Sequence, residues 1–210
     1  MESKHRWDER CSAKGYFWNK VPLPICRQLI EIVKPTTGDK LKLIDPGCGE
    51  GRNAVFLAQN GFDVTGVDIS AAGLQKTAQY AAKQGVQLET VQADLSSYRL
   101  QDIYDVVFFT VTLQYLPLDV RAECFKHYKE HTLNSGINLI SVHVEKPFLP
   151  LAPRHDDPIR KIYRSGQLTG WELLYCGEEI KRVQGSRTAE ASSKHDNSQK
   201  KGVDASIKIY

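Results

Sequence analysis

The amino-acid sequence predicts an α/β fold: a mostly parallel sheet of seven strands, with helices on both faces and an antiparallel C-terminal hairpin. Three observations predict this fold. Apolar strand-like runs alternate with helical segments between residues 41 and 142, an order typical of parallel sheets. The run from Tyr104 to Thr110 is almost continuously apolar, as expected for a central strand covered on both faces. Acidic residues stand at the ends of the first three runs, and a glycine-rich turn follows the first.

The size and composition of the chain fit one domain. The chain has 210 residues, of which 41% are hydrophobic and 25% charged, enough for one α/β domain. The formal charge of +3 gives no ground for a nucleic-acid or membrane partner. The five cysteines show no C-x-x-C spacing, so neither a metal site nor a disulfide framework is expected. Because the N-terminus is charged where a signal peptide would be apolar, we expect a cytoplasmic protein.

Residues 1–40 are predicted to form an N-terminal cap segment with one helix. The segment contains an aromatic cluster at residues 16–18, which can line a pocket or simply attach the segment to the core. Residues 25–34 carry apolar side chains at helical spacing, and Pro35 ends that helix.

The segment 41–142 is predicted to be the ligand-binding core. Its predicted strands cover residues 41–44, 62–67, 86–92, 104–110 and 137–142. Its predicted helices cover residues 53–59, 70–84 and 117–131, the second capped by Ser70 and closed by Gly85.

The part of the chain after residue 142 is less regular. Residues 143–170 are predicted to be a lid on the substrate side, because residues 146–160 contain four of the nine prolines. Residues 171–210 are predicted to be the C-terminal hairpin, with strands at 171–175 and 203–209. The connection at 185–202 has no Val, Ile, Leu, Met or aromatic residue, which indicates a mobile loop.

The glycine-rich turn after the first strand is the most informative motif. It reads DPGCGEGRN from Asp45 to Asn53, a G-x-G-x-G spacing in which Arg52 replaces the third glycine of the dinucleotide fingerprint. Asp45 would repel a pyrophosphate but can hold an ammonium group. The motif therefore argues against NAD or FAD.

Two further acids end the next two strands. Asp68 follows strand two, where a carboxylate can accept both hydroxyls of a ribose. Asp94 follows strand three, where it can accept from an adenine amine while the backbone of Leu95 pairs with the ring. Each acid alone is as well explained as a turn former or local cap. Together they mark the sheet edge at which open parallel sheets bind ligands.

The motifs LIDPGCGEGRN, VTGVDIS and VQADL resemble those of the class I S-adenosylmethionine-dependent methyltransferases, which have a Rossmann-like fold. The resemblance spans residues 41–142. The longer stretch GRNAVFLAQNGFDVTGVDIS, with WDER and GYFW upstream and TGWELLY downstream, is similar to TehB-type tellurite-resistance methyltransferases.

The resemblance implies S-adenosylmethionine as cofactor and assigns a role to each motif. Asp45 and the glycine turn would hold the methionine end, Asp68 the ribose, and Ile69 and the Asp94 region the adenine. The backbone at the end of strand four would lie near the methionine amine. The implied cofactor residues are Asp45, Gly47, Cys48, Gly49, Gly51, Arg52, Asn53, Asp68, Ile69, Asp94, Leu95 and Thr110.

The acceptor is predicted by exclusion. Residues 110–115 read TVTLQY and lack the N/D-P-P-Y/F motif of exocyclic-amine DNA methyltransferases, so a small molecule or ion is favoured over nucleic acid. A tellurite-like or selenite-like oxyanion and a thiol are the candidate acceptors. Trp18, Tyr115, His143 and Arg160 are candidate substrate-binding residues, although His143 is better explained as a structural histidine.

No catalytic residue is assigned. The family is expected to carry a His-Arg pair between its last two strands, whereas residues 176–187 here contain no histidine. His127 and His131, four apart on a predicted helix, lack a third metal ligand and are interpreted as helix surface. Two other functions stay open: a non-catalytic S-adenosylmethionine-binding protein, and an RNA or protein methyltransferase.

Overall fold

The structure, a computed structural model, describes residues 2–35, 38–143, 175–182 and 201–209, with side chains in 5–35 and 38–141. The helices are α1 (Glu2–Ser12), α2 (Pro24–Val33), α3 (Arg52–Gln59), α4 (Ala71–Lys83) and α5 (Leu118–Glu130), with a short 3-10 turn at Leu113–Tyr115. The strands are β1 (Leu41–Pro46), β2 (Phe62–Asp68), β3 (Glu89–Gln92), β4 (Tyr104–Thr110), β5 (Thr132–His143), β6 (Tyr175–Arg182) and β7 (Lys201–Ile209).

Five strands form a parallel sheet in the order β3-β2-β1-β4-β5. The predicted Rossmann-like α/β fold with a parallel sheet is therefore confirmed. Beyond β5 the backbone of β7 and then β6 continues the sheet in antiparallel pairing. The order reverses at β1, which lies between β2 and β4, and ligands of open α/β sheets bind outside the carboxyl ends of strands at such a point.

The sheet has an apolar core on each face. On β1, Leu43 packs with α2 and α3, while its neighbour Ile44 packs with α5 on the opposite face. Phe108 and Phe109 divide in the same way on β4, and all four side chains are fully buried. Alternation of side chains across a strand places them so. This two-sided burial explains the continuous apolar run that predicted a central strand.

Four details differ from the predicted elements. No helix was predicted for residues 2–12, yet α1 occupies them. Strand β3 begins at residue 89 rather than 86, because the Val86 N–H donates to the carbonyl of Ala81 and so closes α4. Strand β5 begins at residue 132 rather than 137, since Thr132 already pairs with Tyr104.

The fourth difference lies in the C-terminal segment. Of the predicted strand at 171–175, residues 171–174 lie outside the described residues, and the described strand β6 runs from Tyr175 to Arg182. Of the predicted loop at 185–202, Lys201 and Gly202 belong to β7 because they pair with Arg182 and Lys181, and the rest lies outside the described residues. The predicted lid at 144–170 also lies outside them. In the described part of the chain, no helix is long and apolar enough to cross a membrane.

Candidate functional site

A solvent-open cleft, about 990 Å³ of empty space including open solvent, lies at the carboxyl ends of β1, β2, β3 and β4. The turn after β1 and the ends of β2 and β4 form one side, and α1 with the segment after it forms the other. Twelve of the predicted residues line this cleft: Trp18, Gly47, Cys48, Gly49, Arg52, Asn53, Asp68, Ile69, Asp94, Leu95, Thr110 and Tyr115.

The glycine turn presents bare backbone to the cleft. The N–H groups of Gly47 and Cys48 both donate to the carbonyl of Val67, at 2.6 and 3.1 Å, which fastens the turn to β2. Gly47 has φ +80°, and a Cβ there would lie 2.3 Å from the Thr112 side chain. Gly49 has φ +58°, and a Cβ there would meet no atom within 4 Å. A ligand can therefore lie directly against the backbone at Gly49.

Asp68 joins the end of β2 to this turn. Its Oδ2 accepts a hydrogen bond from the Gly49 N–H at 2.8 Å, and its Oδ1 accepts from the Ser70 N–H at 2.8 Å. Burial raises the pKa of the Asp68 carboxyl, while these backbone hydrogen bonds oppose the shift and Asp8 adds to it. Each carboxylate oxygen has a further lone pair, so Asp68 can accept two more hydrogen bonds from a ligand.

Asp94 and Leu95 follow β3 at the far end of the cleft. Asp94 Oδ1 accepts from both the backbone N–H and the hydroxyl of Ser96, at 2.9 and 2.7 Å. The side chain thus caps a local turn and lines the cleft at the same time. Leu95 is buried, and its carbonyl accepts from the Cys124 thiol at 3.7 Å, which attaches this loop to α5.

Asp45 lies in β1 below the turn and does not line the cleft. Its side chain is 1% exposed, and neither carboxylate oxygen has a hydrogen-bond partner. Burial raises the pKa of this carboxyl to about 8, with a further rise from Asp68 and an opposing effect from Arg52. The structure therefore holds an uncompensated acid beneath the glycine turn.

Arg52 and Asn53 begin α3 and connect the cleft to the N-terminal segment. The Asn53 amide donates to Thr110 Oγ1 at 3.1 Å and accepts from the Leu23 N–H at 3.0 Å. Arg52 donates to the Trp18 carbonyl at 3.2 Å and lies over the Trp18 ring. Both residues line the cleft, as predicted, and both also hold neighbouring segments in place.

Aromatic side chains from the N-terminal segment form the second wall. Trp7 of α1 meets the edge of Tyr115 with ring centroids 4.9 Å apart, and the Arg10 guanidinium lies 4.9 Å from the Trp7 ring. Trp18 follows on an irregular segment and is partly exposed. The aromatic rings of this wall line the cleft, and the Arg10 guanidinium contacts the Trp7 ring without lining the cleft itself.

Seven residues of the cleft were not predicted: Trp7, Cys11, Asn19, Glu50, Val111, Thr112 and Leu116. Trp7 and Cys11 stand four apart, so they share one face of α1. That spacing was a usable signal, but only once residues 2–12 are recognised as a helix. Glu50, Val111 and Thr112 lie beside predicted motif residues, where adjacency alone was the available signal.

Some predicted residues lie elsewhere. Gly51 stands behind the turn, where a Cβ would lie 2.7 Å from the Thr77 side chain. The backbone of His143 ends β5 and pairs with Asp204 of β7, while its side chain lies outside the described residues. Arg160 also lies outside the described residues.

The thiols of the cleft are held in their neutral form. Burial raises the pKa of Cys11 to about 11 and that of Cys48 well above its ordinary value. A thiol acts as nucleophile or metal ligand in its deprotonated form. These two cysteines therefore behave as small apolar groups.

The histidine pair at the C-terminal end of α5 has a structural contact. His127 Nε2 accepts a hydrogen bond from the Leu100 N–H at 2.8 Å. Among the described side chains, no group of three His, Cys, Asp or Glu residues could hold a metal ion. Hydrogen bonding to the backbone accounts for His127 in the described structure.

Comparison with known families assigns the chain. A family model described as Tellurite resistance protein TehB matches residues 10–188, most of the chain. The chain belongs to the TehB family. The resemblance predicted from the glycine turn and the GRN helix is therefore confirmed.

Individual relatives match over different lengths. A probable S-adenosyl-L-methionine-dependent methyltransferase TehB of Haemophilus influenzae is 32% identical over 99 residues, covering 47% of this chain and 35% of that protein. Hemagglutinin 1 of Eikenella corrodens is 28% identical over 179 residues, covering 81% of this chain and 56% of that protein. The chain thus spans about half or less of the length of these curated relatives.

A solved structure from the TehB family shares the fold. The crystal structure of TehB from Haemophilus influenzae matches with a TM-score of 0.71 and 23% sequence identity. The match covers 89% of this chain and 61% of that chain. At this identity the likeness establishes the fold.

Proposed function

We propose that this chain binds S-adenosylmethionine in the cleft and transfers its methyl group to a small-molecule or ion acceptor. Membership of the TehB family supports the proposal, since the Haemophilus influenzae member is named as a probable methyltransferase of this kind. The observation that carries it is the bond between the Asp68 carboxylate and the Gly49 amide. This hydrogen bond places a carboxylate, which can accept hydrogen bonds from ribose hydroxyls, directly beside bare backbone.

The charges of the site fit this cofactor. S-adenosylmethionine carries a sulfonium and an ammonium group, and the buried Asp45 carboxylate has no hydrogen-bond partner. An isolated buried carboxylate is costly, and a cationic ligand above the turn would lower that cost. A pyrophosphate would raise it. The acid beneath the turn therefore favours a sulfonium nucleoside over a dinucleotide.

Each remaining part of the cofactor has a matching group. Asp68 accepts the ribose hydroxyls through the lone pairs that its two backbone hydrogen bonds leave. Ile69 packs on one face of the adenine, and Asp94 with the Leu95 backbone reads its edge. Thr110, at the end of β4, places backbone beside the amino-acid end. Asp45 does not contact that end, but a cationic group above the turn would favour the charged form of its carboxyl.

The chain's task in the reaction is alignment. The sulfonium supplies a strongly electrophilic methyl group when it is bound. The protein residues hold the acceptor in line with that methyl group, an effect worth up to roughly 7–11 kcal/mol in favourable systems. Trp18 and Tyr115 line the cleft and exclude water from the place where the methyl acceptor would bind. We assign His143 and Arg160 to binding of the methyl acceptor as well.

The acceptor we favour is a soft nucleophile, such as a selenite-like or tellurite-like oxyanion or a thiol. Beside Trp18, the described titratable groups are already engaged. Glu50 is ion-paired with Lys76 at 2.8 Å, and burial raises the pKa of Cys11 to about 11. An amine or hydroxyl acceptor would need a proton acceptor at this place.

Three wider predictions belong to the same proposal. The chain forms one methyltransferase domain, and its complete sheet has seven strands with an antiparallel C-terminal hairpin, for which the backbone pairing of β6 and β7 is the support. The protein is cytoplasmic, in keeping with its unpatterned cysteines.

The test compares Asp68→Ala with Asp63→Ala, a change of an exposed acid on the same strand. Hydrogen bonds to a charged group contribute roughly 1.5–3 kcal/mol each, so loss of two lowers affinity by at least about a hundredfold. Calorimetric titration with S-adenosylhomocysteine measures this loss, and Asp63→Ala is expected to bind like the wild type. Unchanged affinity in folded Asp68→Ala would refute the assignment.

Turnover separates the enzyme from a protein that only binds the cofactor. The wild-type chain is incubated with S-adenosylmethionine and, in turn, selenite, tellurite and small thiols. Release of S-adenosylhomocysteine with one of them supports the enzyme. Tight binding without release for every acceptor favours the non-catalytic alternative.

A further inference from the structure

An irregular, mostly exposed segment covers the cleft. Residues 13–23 lie between α1 and α2 without helix or strand, and Trp18 and Asn19 of this segment line the cleft. Most of its side chains are exposed, so little apolar burial fixes its position. Individual polar and ring contacts therefore fix where the segment lies.

The Lys76 side chain of α4 makes two of the polar contacts that hold this segment. Its ammonium group donates to the carbonyl of Ala13 at 2.9 Å, to the carbonyl of Gly15, and to Glu50 Oε1 at 2.8 Å. A lysine ammonium has three N–H donors, so these three acceptors use all of them. The same ammonium lies 5.6 Å from the centre of the Tyr16 ring.

Glu50 completes the connection on the other side. It stands between Gly49 and Gly51 in the glycine turn, and its side chain is 1% exposed. Its second oxygen accepts from the Trp18 N–H at 3.3 Å. The buried ion pair thus links α4, the glycine turn and the N-terminal segment at one point.

We propose that Lys76 is a positioning residue, whose ammonium fixes residues 13–18 to Glu50 and thereby holds Trp18 and Asn19 against the cleft. The pair is placed to shape a ligand site, because Glu50 lines the cleft and its second oxygen holds Trp18, which lines the cleft too. Its effect on cofactor affinity rests on the proposed function. Its effect on the segment itself does not.

Removal of Lys76 alone would leave the Glu50 carboxylate buried and unpaired, which is strongly destabilising in itself. The test variant is therefore the double change Lys76→Met with Glu50→Gln, which leaves no buried charge. The glutamine oxygen still accepts from the Trp18 N–H, so the variant mainly removes the donors to Ala13 and Gly15. Lys83→Met, an exposed lysine on the same helix, is the matched control.

Hydrogen–deuterium exchange of the full chain is the first readout. In the double variant we expect amides of residues 13–19 to exchange roughly tenfold faster or more, while β1 and β4 keep their protection. The thermal midpoint by circular dichroism stays near that of wild type, and Lys83→Met changes neither quantity. Unchanged exchange at residues 13–19 would overturn the proposal, as would faster exchange throughout the sheet.

Calorimetric affinity for S-adenosylhomocysteine is the second readout. We expect the double variant to bind at least several-fold more weakly, whereas Lys76→Arg, which keeps Glu50 and cationic N–H donors, is expected to bind closer to wild type. A freed segment with unchanged affinity would overturn the positioning role. If the wild type itself does not bind S-adenosylhomocysteine, the proposed function fails. The exchange experiment still decides whether Lys76 holds residues 13–18 in place. Should the double variant not fold, Lys76→Ala with Glu50→Gln, which also lacks the donors to Ala13 and Gly15, is measured with the same outcomes.

Discussion

Asp45 is a buried acid whose ionisation is unfavourable in the folded protein. Its carboxylate is fully buried, lacks a hydrogen-bond partner and faces the charge of Asp68. A protein optimised for stability alone would place a neutral group here. Retaining an acid at such a position is typical of sites that trade stability for binding.

The cost of burying the Asp45 carboxyl is tested by the pH dependence of the free energy of unfolding of Asp45→Asn. Because the folded-state pKa is raised, the folded chain holds this proton more tightly than the unfolded chain. The stabilisation from that proton is complete below the ordinary pKa of 3.8 and is lost as pH rises through about 8. We expect Asp45→Asn to be more stable than wild type by a margin that grows over this window and then levels. Urea unfolding across a pH series measures the margin.

The matched control is Asp63→Asn, on an exposed acid of β2, which is expected to show no such growth. Asp45→Asn is also expected to bind S-adenosylhomocysteine more weakly than wild type despite its greater stability. A margin that does not vary with pH would contradict the account of Asp45.

Val111 stores backbone strain beside the cleft. Its φ is +56°, a left-handed conformation that β-branched residues rarely adopt, and its N–H donates to the Ser141 carbonyl at 2.7 Å. Asparagine tolerates this conformation, so Val111→Asn is expected to raise the free energy of unfolding by about 1 kcal/mol. Val111→Thr keeps the β-branch and is expected to bring no gain. A Val111→Asn variant less stable than Val111→Thr in urea unfolding would contradict the strain.

At the scale of elements, α1 shows where prediction from the sequence ends. Its residues lack a continuous apolar stripe, because the helix is held by individual contacts rather than by a buried face. Asp8 accepts from the Ser70 hydroxyl at 2.7 Å and so fastens α1 to the start of α4. Trp7 packs on Tyr115, more than a hundred positions away. Contacts of this kind leave no periodic signal in the sequence.

The strand-end motifs behave in the opposite way. Asp68 and Asp94 were predicted to lie in the cleft because their position follows from strand order alone, and the structure places both there. Asp45 was predicted from the same rule, yet its side chain lies below the turn. Strand order predicts at which edge of the sheet a strand-end residue lies. Whether its side chain lines the cleft depends on packing, which strand order does not predict.

His127 connects α5 to the loop that carries Asp94 and Leu95. Its Nε2 accepts from the Leu100 N–H, so protonation would remove the acceptor. Burial lowers the pKa of His127, with further lowering by the charges of His131 and Arg99. Neutral His127 therefore contributes to the free energy of unfolding above its ordinary pKa of 6.5. This contribution is lost as the pH falls below that value.

We expect the free energy of unfolding of the wild type to fall more steeply below this value than that of His127→Gln. The glutamine oxygen can accept the same hydrogen bond and does not titrate. The control is His5→Gln, on an exposed histidine of α1. Parallel profiles for wild type and His127→Gln in urea unfolding at several pH values would exclude this role for His127.

At the scale of the whole molecule, the parallel order β3-β2-β1-β4-β5 brings the ends of β1, β2, β3 and β4 to one cleft. Strand and helix alternation predicted this parallel architecture, and the motif spacing predicted the TehB family. The cover of the cleft was less predictable, because residues 2–23 reach it through single polar and aromatic contacts. The sequence therefore indicates the cofactor side of the site more fully than the acceptor side.

We propose that the cleft accepts a sulfonium nucleoside rather than a phosphate-bridged one. Calorimetric titration of the full chain with S-adenosylmethionine, S-adenosylhomocysteine and NAD⁺ under one buffer condition distinguishes the two. We predict saturable binding of both sulfur nucleosides and no measurable heat of binding with NAD⁺. Saturable binding of NAD⁺, with neither sulfur nucleoside bound, would contradict it.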